Sequence, residues 1–289
     1  MSHRRVIVPG AELHVALAGP DDGPPIVLLH GFPETWWSWR HQFGPLVEAG
    51  HRVIAPDLRG YGASTRRGPF DLATLARDIE ALLRALGAAP AVVVGHDWGG
   101  AIAWRLGAYH PDIVKKLVVI DCPLPHVLER QLARRPSREQ MRRSWYIYFF
   151  QLPLLPEWLL GRRGAGNVIA VIRGNSVERR HQSAAELAPM REAARSFAAR
   201  RAMLGVYRAA FRDALRRRLR PVEPPPVAAE TLLVWGLDDP ALGFDALVPG
   251  TERWAPRLRV EPLPGVGHFP QSERPDLVNP LLVDFARTS

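Results

Sequence analysis

Asp97, Asp239 and His268 are the residues whose types and order along this 289-residue chain could carry out covalent chemistry. A carboxylate can attack a carbon atom directly and form an ester with it. An imidazole held by a second carboxylate can then take a proton from water, and that water hydrolyses the ester. Because a carboxylate needs no deprotonation before it attacks, an aspartate suits displacement at an sp³ carbon. The order nucleophile, acid, histidine therefore predicts a two-step hydrolysis.

The segment around Asp97 predicts a buried strand, a sharp turn and a helix packed back on the strand. The apolar, β-branched run 92–94 stops at Gly95, and residues 101–106 continue at helical spacing. Small residues allow the tight turn, and the first N–H groups of the helix point at the side chain in it. This is the layout of the G-x-S-x-G nucleophile motif, with Asp97 in place of the serine. The alternative is an Asp97 that only caps the helix.

The elements that must position these residues alternate between strands and helices. Strands are predicted at 5–8, 12–17, 25–29, 51–55, 92–94, 114–120, 231–235 and 258–261, and helices at 36–47, 72–86, 101–106 and 275–285. This alternation predicts a mostly parallel, doubly wound sheet. Such sheets bind ligands at the carboxyl ends of their strands. His30, Asp57, Asp97 and Asp121 each follow a strand end and are candidates to line one site.

Between about residues 123 and 226 the alternation stops. The composition there is helical and rich in Arg, Ala and Leu, and the segment closes in a Pro-rich linker at 220–226. An α-helical insertion in an α/β core explains this pattern, and we interpret the insertion as a lid. The predicted division is a core in two parts, 1–125 and 227–289, with a helical cap at 126–226.

Composition and charge exclude several classes of protein. Hydrophobic residues make up 47% and charged residues 23% of the chain, as in globular proteins, and no apolar run approaches the roughly 20 residues of a membrane span. The N-terminus lacks the apolar core of a secretory signal, and Cys122 is the only cysteine, which favours a cytoplasmic location. The net charge of +9 comes from widely spread arginines. We therefore expect no binding to nucleic acid or membranes; a homodimer is left open.

The chain resembles the α/β-hydrolase superfamily, specifically its epoxide hydrolases. The resemblance covers nearly the whole length of the chain and rests on three motifs. The run from His30 to Pro33 resembles the family's H-G-x-P loop, Gly95 to Gly100 is typical of these enzymes, and Trp235 to Asp239 resembles a W-G-x-x-D pattern. The resemblance implies an α/β-hydrolase fold. That fold has a mostly parallel eight-stranded sheet, helices on both faces and an inserted α-helical cap.

The resemblance also implies roles for particular residues. Asp97 is the nucleophile, and the backbone N–H groups of Phe32 and Trp98 form the oxyanion hole. The peptide bond before Pro33 is expected to be cis. The acid that holds His268 is Asp239, with Asp238 as the alternative.

Two tyrosines indicate which reaction the resemblance implies. The run from Ser144 to Gln151 resembles the cap segment of epoxide hydrolases that contains a ring-opening tyrosine, which matches Tyr146. The second ring-opening tyrosine is matched to Tyr207 through a shorter motif. A phenol with an ordinary pKa of about 10 is protonated at pH 7 and can donate to the alkoxide that forms when an epoxide opens. The neighbouring aromatic residues at 148–150 are interpreted as packing.

A largely apolar pocket and simple reactants follow from the same resemblance. Besides Phe32, Trp98 and Tyr146, the predicted pocket residues are His30, Pro33, Trp36, Trp145 and Phe269. The expected reactants are a small apolar epoxide and water, and no metal or organic cofactor is implied. His96 is expected to support the nucleophile, whereas Asp57, Arg59 and Asp121 are interpreted as structural.

Three alternatives share parts of this pattern. A haloalkane dehalogenase has the same nucleophile and the same Trp after it, but it needs a second halide donor where this chain has Phe32. A fluoroacetate dehalogenase would need an arginine where this chain has Trp98. A non-catalytic ligand-binding relative would have no use for His268 together with Asp239.

Overall fold

The computed structural model describes residues 1–134, 138–220 and 222–287, without the side chains of 131–140. One residue of the predicted linker, 221, lies outside the described residues. An eight-stranded sheet has the order β1-β2-β4-β3-β5-β6-β7-β8. The strands are β1 Ser2–Val8, β2 Ala11–Ala18, β3 Pro25–Leu29, β4 Arg52–Pro56, β5 Ala91–His96, β6 Val114–Ile120, β7 Glu230–Gly236 and β8 Leu258–Leu263. β1 and β2 are antiparallel, as are β2 and β4, and the six strands β3 to β8 run parallel to one another. The predicted fold class is confirmed.

Helices cover both faces of the sheet. The helices of the described residues are α1 Arg40–Glu48, α2 Leu72–Ala85, α3 Trp98–Tyr109, α4 Pro125–Arg134, α5 Arg138–Arg143, α6 Trp145–Phe149, α7 Leu155–Gly174, α8 Ala188–Ala193, α9 Phe197–Met203, α10 Gly205–Leu219, α11 Phe244–Leu247, α12 Pro270–Glu273 and α13 Pro275–Arg287. The core on one face includes residues of α2 and α3, and the core on the other includes residues of α1 and α13. In the described part of the chain, no helix combines the length and apolar character needed to cross a bilayer.

The central strands are buried on both faces, which explains their continuous apolar runs. Successive side chains point to opposite faces of a strand, so Val93 packs in the core with α2 and α3, and Val94 packs in the core with α1 and α13. Both side chains are fully buried. Each such side chain contributes about 1.5–3 kcal/mol by its burial. This packing fixes the level at which β5 ends, and β5 carries Asp97 at its end.

Helix α2 has the apolar face that its spacing predicts. Leu75, Ile79, Leu82 and Leu83 are buried against the sheet. Asp71 caps the helix, since its carboxylate accepts the Thr74 N–H at 3.0 Å. The predicted bounds, 72–86, differ from the observed ones by one residue.

The helices α4 to α10 lie between β6 and β7 in the chain and are called here the helical insertion (125–219). The stretch predicted to be a cap is 126–226, and its role as a cap stays a prediction. Several hydrogen bonds join it to the core: the Tyr61 hydroxyl donates to the Met203 carbonyl at 3.3 Å, and the Trp37 indole N–H donates to the Glu186 carbonyl at 2.9 Å. The insertion is therefore packed on the core above the carboxyl ends of the strands.

Candidate active site

Asp97 occupies a sharp turn between β5 and α3. Its φ of 48° and ψ of −118° lie in a region that non-glycine residues rarely adopt. Two glycines make the turn possible: a Cβ on Gly95 would lie 2.2 Å from the Gly99 carbonyl oxygen, and a Cβ on Gly99 would lie 2.1 Å from the Leu29 carbonyl oxygen. The predicted strand, turn and helix are confirmed, and the side chain at the turn is Asp97.

The loop after β3 lies against the Asp97 carboxylate. The Phe32 backbone N–H donates to Oδ2 of Asp97 at 2.7 Å, and the Trp98 N–H also stabilises the carboxylate. A Cβ on Gly31 would lie 2.6 Å from Oδ2, so only glycine allows this approach. The Phe32–Pro33 peptide bond is cis, as expected. Burial raises the pKa of Asp97, while His268, His96 and the two N–H groups act in the opposite direction.

His268 lies in the loop after β8 and contacts Asp239. Its Nδ1 is 2.7 Å from Oδ2 of Asp239, and both side chains are buried. The other oxygen of Asp239 accepts the N–H groups of Ala241 at 2.7 Å and Leu242 at 3.0 Å. Asp238 is exposed, and its carboxylate accepts the Gly265 N–H instead. Of the two candidate acids, the structure brings only Asp239 to the histidine.

The acidic surroundings of His268 determine its charge. Burial alone would lower its pKa, but the carboxylates of Asp239, Asp97 and Asp121 outweigh burial and raise the pKa to about 10. At neutral pH the imidazole is therefore protonated in the free protein. Any change that removes the charge of Asp97 makes this imidazolium less favourable, because one of its negative neighbours is lost.

A buried contact between His96 and Glu34 lies next to the site. His96 Nδ1 lies 2.7 Å from Oε2 of Glu34, and its Nε2 lies 2.7 Å from the His268 carbonyl oxygen. Both ring nitrogens therefore contact oxygen atoms of other loops. Oε2 of Glu34 also accepts the Gly31 N–H at 3.0 Å, and its Oε1 accepts from Gln271 at 3.0 Å. His96 thus links the loop after β3 to the loop that carries His268.

Glu273 holds the His268 loop, and sequence reasoning missed it. Its fully buried carboxylate accepts the backbone N–H groups of Gly267, Phe269, Val177 and Glu178 at 2.8–3.1 Å. Two of these donors flank His268 and two belong to the helical insertion. Its position in α12 carries no motif, so no local signal could have found it. Glu34 did have a signal, since it follows the H-G-x-P loop directly.

Tyr146 and Tyr207 line a cavity of about 790 Å³ together with Asp97 and His268. Tyr146 belongs to α6 and Tyr207 to α10, and their ring centroids are 6.0 Å apart. Burial, and next the nearby Asp97 charge, raise the pKa of both phenols. Both hydroxyls are consequently protonated at any physiological pH and able to donate.

A second cavity, of about 490 Å³, reaches the same three side chains of Asp97, Tyr146 and Tyr207. It is lined mainly by apolar atoms and includes Trp98 and Cys122 in its wall. Asp97 therefore lies where two cavities meet.

The predicted pocket residues fall into two groups. Trp145 and Phe269 line the larger cavity, as does Phe32. Among the described residues that line the two cavities, His30, Pro33 and Trp36 are not found, and for these three the prediction is corrected. His30 is fully buried and accepts the Leu58 N–H through Nε2, and Trp36 packs on His3 and His14. A strand end brings a residue to the right edge of the sheet but does not decide which way its side chain points.

The three residues interpreted as structural, Asp57, Arg59 and Asp121, contact backbone N–H groups or a charged side chain. Asp57 accepts the N–H groups of Trp36 and Ala63, and Arg59 forms a buried pair with Asp78 at 2.6 Å. Asp121 accepts the Gly236 N–H at 2.9 Å through Oδ1. Burial and the nearby Asp239 raise the pKa of Asp121 well above its ordinary value.

Comparison with known proteins gives a consistent set of relatives. A family model described as alpha/beta hydrolase fold matches residues 24–275. The chain is 37% identical over 281 residues to the AB hydrolase superfamily protein YfhM of Bacillus subtilis (strain 168), covering 96% of this chain and 95% of that one. It is 34% identical over 297 residues to epoxide hydrolase 3 of Xenopus tropicalis, covering 96% and 75%. The crystal structure of a Bacillus megaterium epoxide hydrolase with an inhibitor superposes with a TM-score of 0.87 at 27% identity, covering 99% and 100%.

Proposed function

The chain belongs to the α/β-hydrolase family and, within it, to the epoxide hydrolases, and from this we propose that it converts an epoxide to a vicinal diol through a covalent ester on Asp97. The observation that carries the proposal is the meeting of Asp97, His268, Tyr146 and Tyr207 in one cavity. A carboxylate nucleophile, a base and two proton donors are the groups that the two steps need.

In the first step a carboxylate oxygen of Asp97 attacks an epoxide carbon, and the carbon–oxygen bond of the ring breaks. The electron pair goes to the ring oxygen, which takes a proton from Tyr146 or Tyr207 and a hydrogen bond from the other. Because burial keeps both phenols protonated, they stabilise the developing alkoxide without prior ionisation. The product of this step is a hydroxyalkyl ester of Asp97.

In the second step His268 activates water. Ester formation removes the charge of Asp97, which is one of the groups that raise the pKa of His268, so the imidazolium loses its proton more readily. That proton restores the phenol that protonated the ring oxygen in the first step. Neutral His268, held by Asp239, then takes a proton from the water that attacks the ester carbonyl. The N–H groups of Phe32 and Trp98 stabilise the resulting oxyanion. When the ester bond breaks, the leaving alkoxide takes the proton from His268 and departs as the diol. The carboxyl proton of Asp97 then passes to His268, which restores the carboxylate and the imidazolium.

The helical insertion acts in this proposal as a cap. It supplies both tyrosines, whereas the core supplies Asp97, Asp239 and His268. Packing of the insertion over the strand ends leaves a cavity lined largely by aromatic and aliphatic side chains. Such a cavity accepts an apolar substrate and limits the access of competing water.

The second candidate is a haloalkane dehalogenase, which would use the same Asp97. The side chain at Phe32 cannot donate to a halide, and the paired tyrosines have no role in that reaction. The family relatives named epoxide hydrolase support the first candidate.

A product assay distinguishes the candidates. Styrene oxide and a bromoalkane are given separately to the wild type and to Asp97→Ala, and diol and halide are measured. We expect diol from the wild type alone and halide from neither protein. Halide without diol would make the chain a dehalogenase and return Tyr146 and Tyr207 to a packing role. Diol formation by Asp97→Ala at the wild-type rate would remove Asp97 from the mechanism.

A further inference from the structure

A second cluster of chemistry-bearing side chains lies where the helical insertion meets the core. His41 is on α1, and His181 and Glu186 are in the segment between α7 and α8. One ligand atom from each of the three lies within 4.8 Å of the others. In the described part of the chain, this is the only group of three or more His, Cys, Asp or Glu side chains with that spacing.

The backbone positions of the three residues are fixed by hydrogen bonds that need no ion. Nη2 of Arg40 donates to the His181 carbonyl at 2.6 Å, and the Trp37 indole donates to the Glu186 carbonyl at 2.9 Å. The Asn279 amide donates to the His41 carbonyl at 3.0 Å. The three side chains are therefore brought together by the packing of the insertion on α1, and their spacing is set before anything binds.

One ring nitrogen in the cluster lacks a hydrogen-bond partner among the described residues. Nε2 of His41 is buried and has no hydrogen-bond partner among the described residues. Leaving such an atom unpaired costs about 1–3 kcal/mol. The ring of His181 lies with its centroid 4.8 Å from that of His41.

Glu186 offers one carboxylate oxygen. Its Oε2 accepts from the backbone N–H and hydroxyl of Ser183 at 2.9 and 2.7 Å. Its Oε1 forms an ion pair with Nη2 of Arg40 at 3.8 Å, a distance too long for a hydrogen bond. Oε1 is therefore the oxygen that can turn to a ligand shared with the two histidines.

We propose that His41, His181 and Glu186 bind a divalent late first-row metal ion, Zn²⁺ above all. Two imidazoles and a carboxylate suit such ions and do not suit Mg²⁺ or Ca²⁺, which prefer oxygen ligands. Ligand atoms on a tetrahedral zinc ion are about 3.4 Å apart, given bonds of about 2.0–2.1 Å. Small rotations of the partly exposed His181 and Glu186 side chains close the distance to the ion, and water fills the fourth position.

Two consequences follow for the strength and the effect of binding. The guanidinium of Arg40 opposes a second positive charge nearby, so the affinity is lower than that of a closed structural zinc site. Because His41 belongs to the core and the other two ligands to the insertion, the ion joins the two parts of the molecule. Binding therefore stabilises the packed arrangement of the insertion, independently of any role for Asp97.

Titration calorimetry of the untagged, full-length protein with ZnCl₂ alone tests the proposal. We expect one Zn²⁺ per chain, at least about tenfold weaker binding in His181→Ala and in Glu186→Gln, and no binding of Mg²⁺. The control is His3→Ala, because His3 and His14 form another imidazole pair, with nitrogens 3.1 Å apart. That variant is expected to bind zinc as the wild type does.

Thermal unfolding gives a second readout, because it measures how zinc changes the stability of the protein. Zinc is expected to raise the unfolding temperature of the wild type and of His3→Ala, and to leave that of His181→Ala unchanged. His181 and Glu186 are partly exposed, so their variants are expected to fold. Absence of zinc binding by the wild type would overturn the proposal, as would binding that survives in His181→Ala and is lost in His3→Ala.

Discussion

Asp97 is a carboxylate whose charge is costly where it lies and is tolerated because of its neighbours. Burial raises its pKa, and His268, His96 and the N–H groups of Phe32 and Trp98 stabilise the ionised form. A buried carboxylate with these fixed partners has little water to lose before it attacks. In the proposed mechanism the same N–H groups stabilise the oxyanion of the second step.

The paired tyrosines are expected to act on ring opening alone. Tyr146→Phe and Tyr207→Phe each remove one donor to the leaving oxygen, so each should slow ester formation by about tenfold to a hundredfold, and the double variant by about 10²–10⁴. Stopped-flow measurement of a single turnover reports this step. Tyr148→Phe is the matched control, because Tyr148 is exposed on the same helix, and should leave the rate unchanged. A double variant at the wild-type rate would exclude the tyrosines from the chemistry.

Asp239 is expected to act mainly on ester hydrolysis. Asp239→Asn leaves His268 without its charged partner, so the second step should slow by about 10²–10⁴ while the first is less affected. The covalent ester should then accumulate and be visible by mass spectrometry after an acid quench. Asp238→Asn provides the comparison, since Asp238 is exposed and contacts Gly265. Equal effects of the two substitutions would contradict the assignment.

At the level of elements, the loop after β8 depends on one carboxylate. Glu273 accepts four backbone N–H groups that belong both to this loop and to residues 177 and 178 of the helical insertion. Fixing these groups fixes His268, which lies between two of the donors. The loop after β3 is joined to the same region through Glu34 and His96. The site is thus held by buried polar contacts between elements far apart in the chain.

Glu273→Gln is expected to destabilise the protein by about 2–4 kcal/mol, because the buried N–H donors lose a charged acceptor and one amide NH₂ group faces them instead. Chemical denaturation measures this loss, and steady-state kinetics at a temperature where the variant is folded should show a lower kcat. Glu178→Gln, in the adjacent exposed segment, is the control. A loss of stability in Glu273→Gln no larger than in that control would show that the loop is held otherwise.

Local patterns predict the elements well, and long-range contacts limit what they predict about the site. The turn at Asp97 follows from glycines and β-branched residues within a few positions of it, and the strands follow from their apolar runs. Helix α1 begins at Arg40 rather than at Trp36, because residues 36–39 form a 3-10 turn capped by Thr35. Glu273 and its partners are separated by up to 96 residues, so no periodicity could reveal them. Trp36 was misplaced because its position in a motif does not show that its ring packs on His3 of β1 and His14 of β2.

At the scale of the whole molecule, the core and the helical insertion both line one cavity. The core provides Asp97 and His268, and the insertion provides Tyr146 and Tyr207. Their relative position cannot be derived from the chain order, since it depends on how α6 and α10 pack over the sheet. The motifs that resemble those of epoxide hydrolases identified Tyr146 and Tyr207, whereas periodicity alone would have assigned them to packing.

The stability of the whole protein should fall as the pH rises through the range set by His268. Its pKa is about 10 in the folded protein and about 6.5 in an unfolded chain. The folded state therefore binds this proton more tightly, and the stabilisation is complete below about pH 6.5 and is lost as the pH approaches 10. Urea unfolding at pH 6.5 and pH 10 should show a larger loss in the wild type than in His268→Gln, by more than about 1 kcal/mol. An equal loss in both proteins would refute the charged state assigned to His268.

The central claim is a covalent ester on Asp97, and a single turnover in H₂¹⁸O tests it most directly. Enzyme in excess over styrene oxide is mixed in labelled water, and both the diol and the peptide containing Asp97 are analysed by mass spectrometry. In the ester mechanism the first diol takes its new oxygen from Asp97, so we predict unlabelled diol and ¹⁸O in the Asp97 carboxylate. Labelled diol with an unlabelled Asp97 would mean that water attacks the epoxide directly, and it would contradict the account.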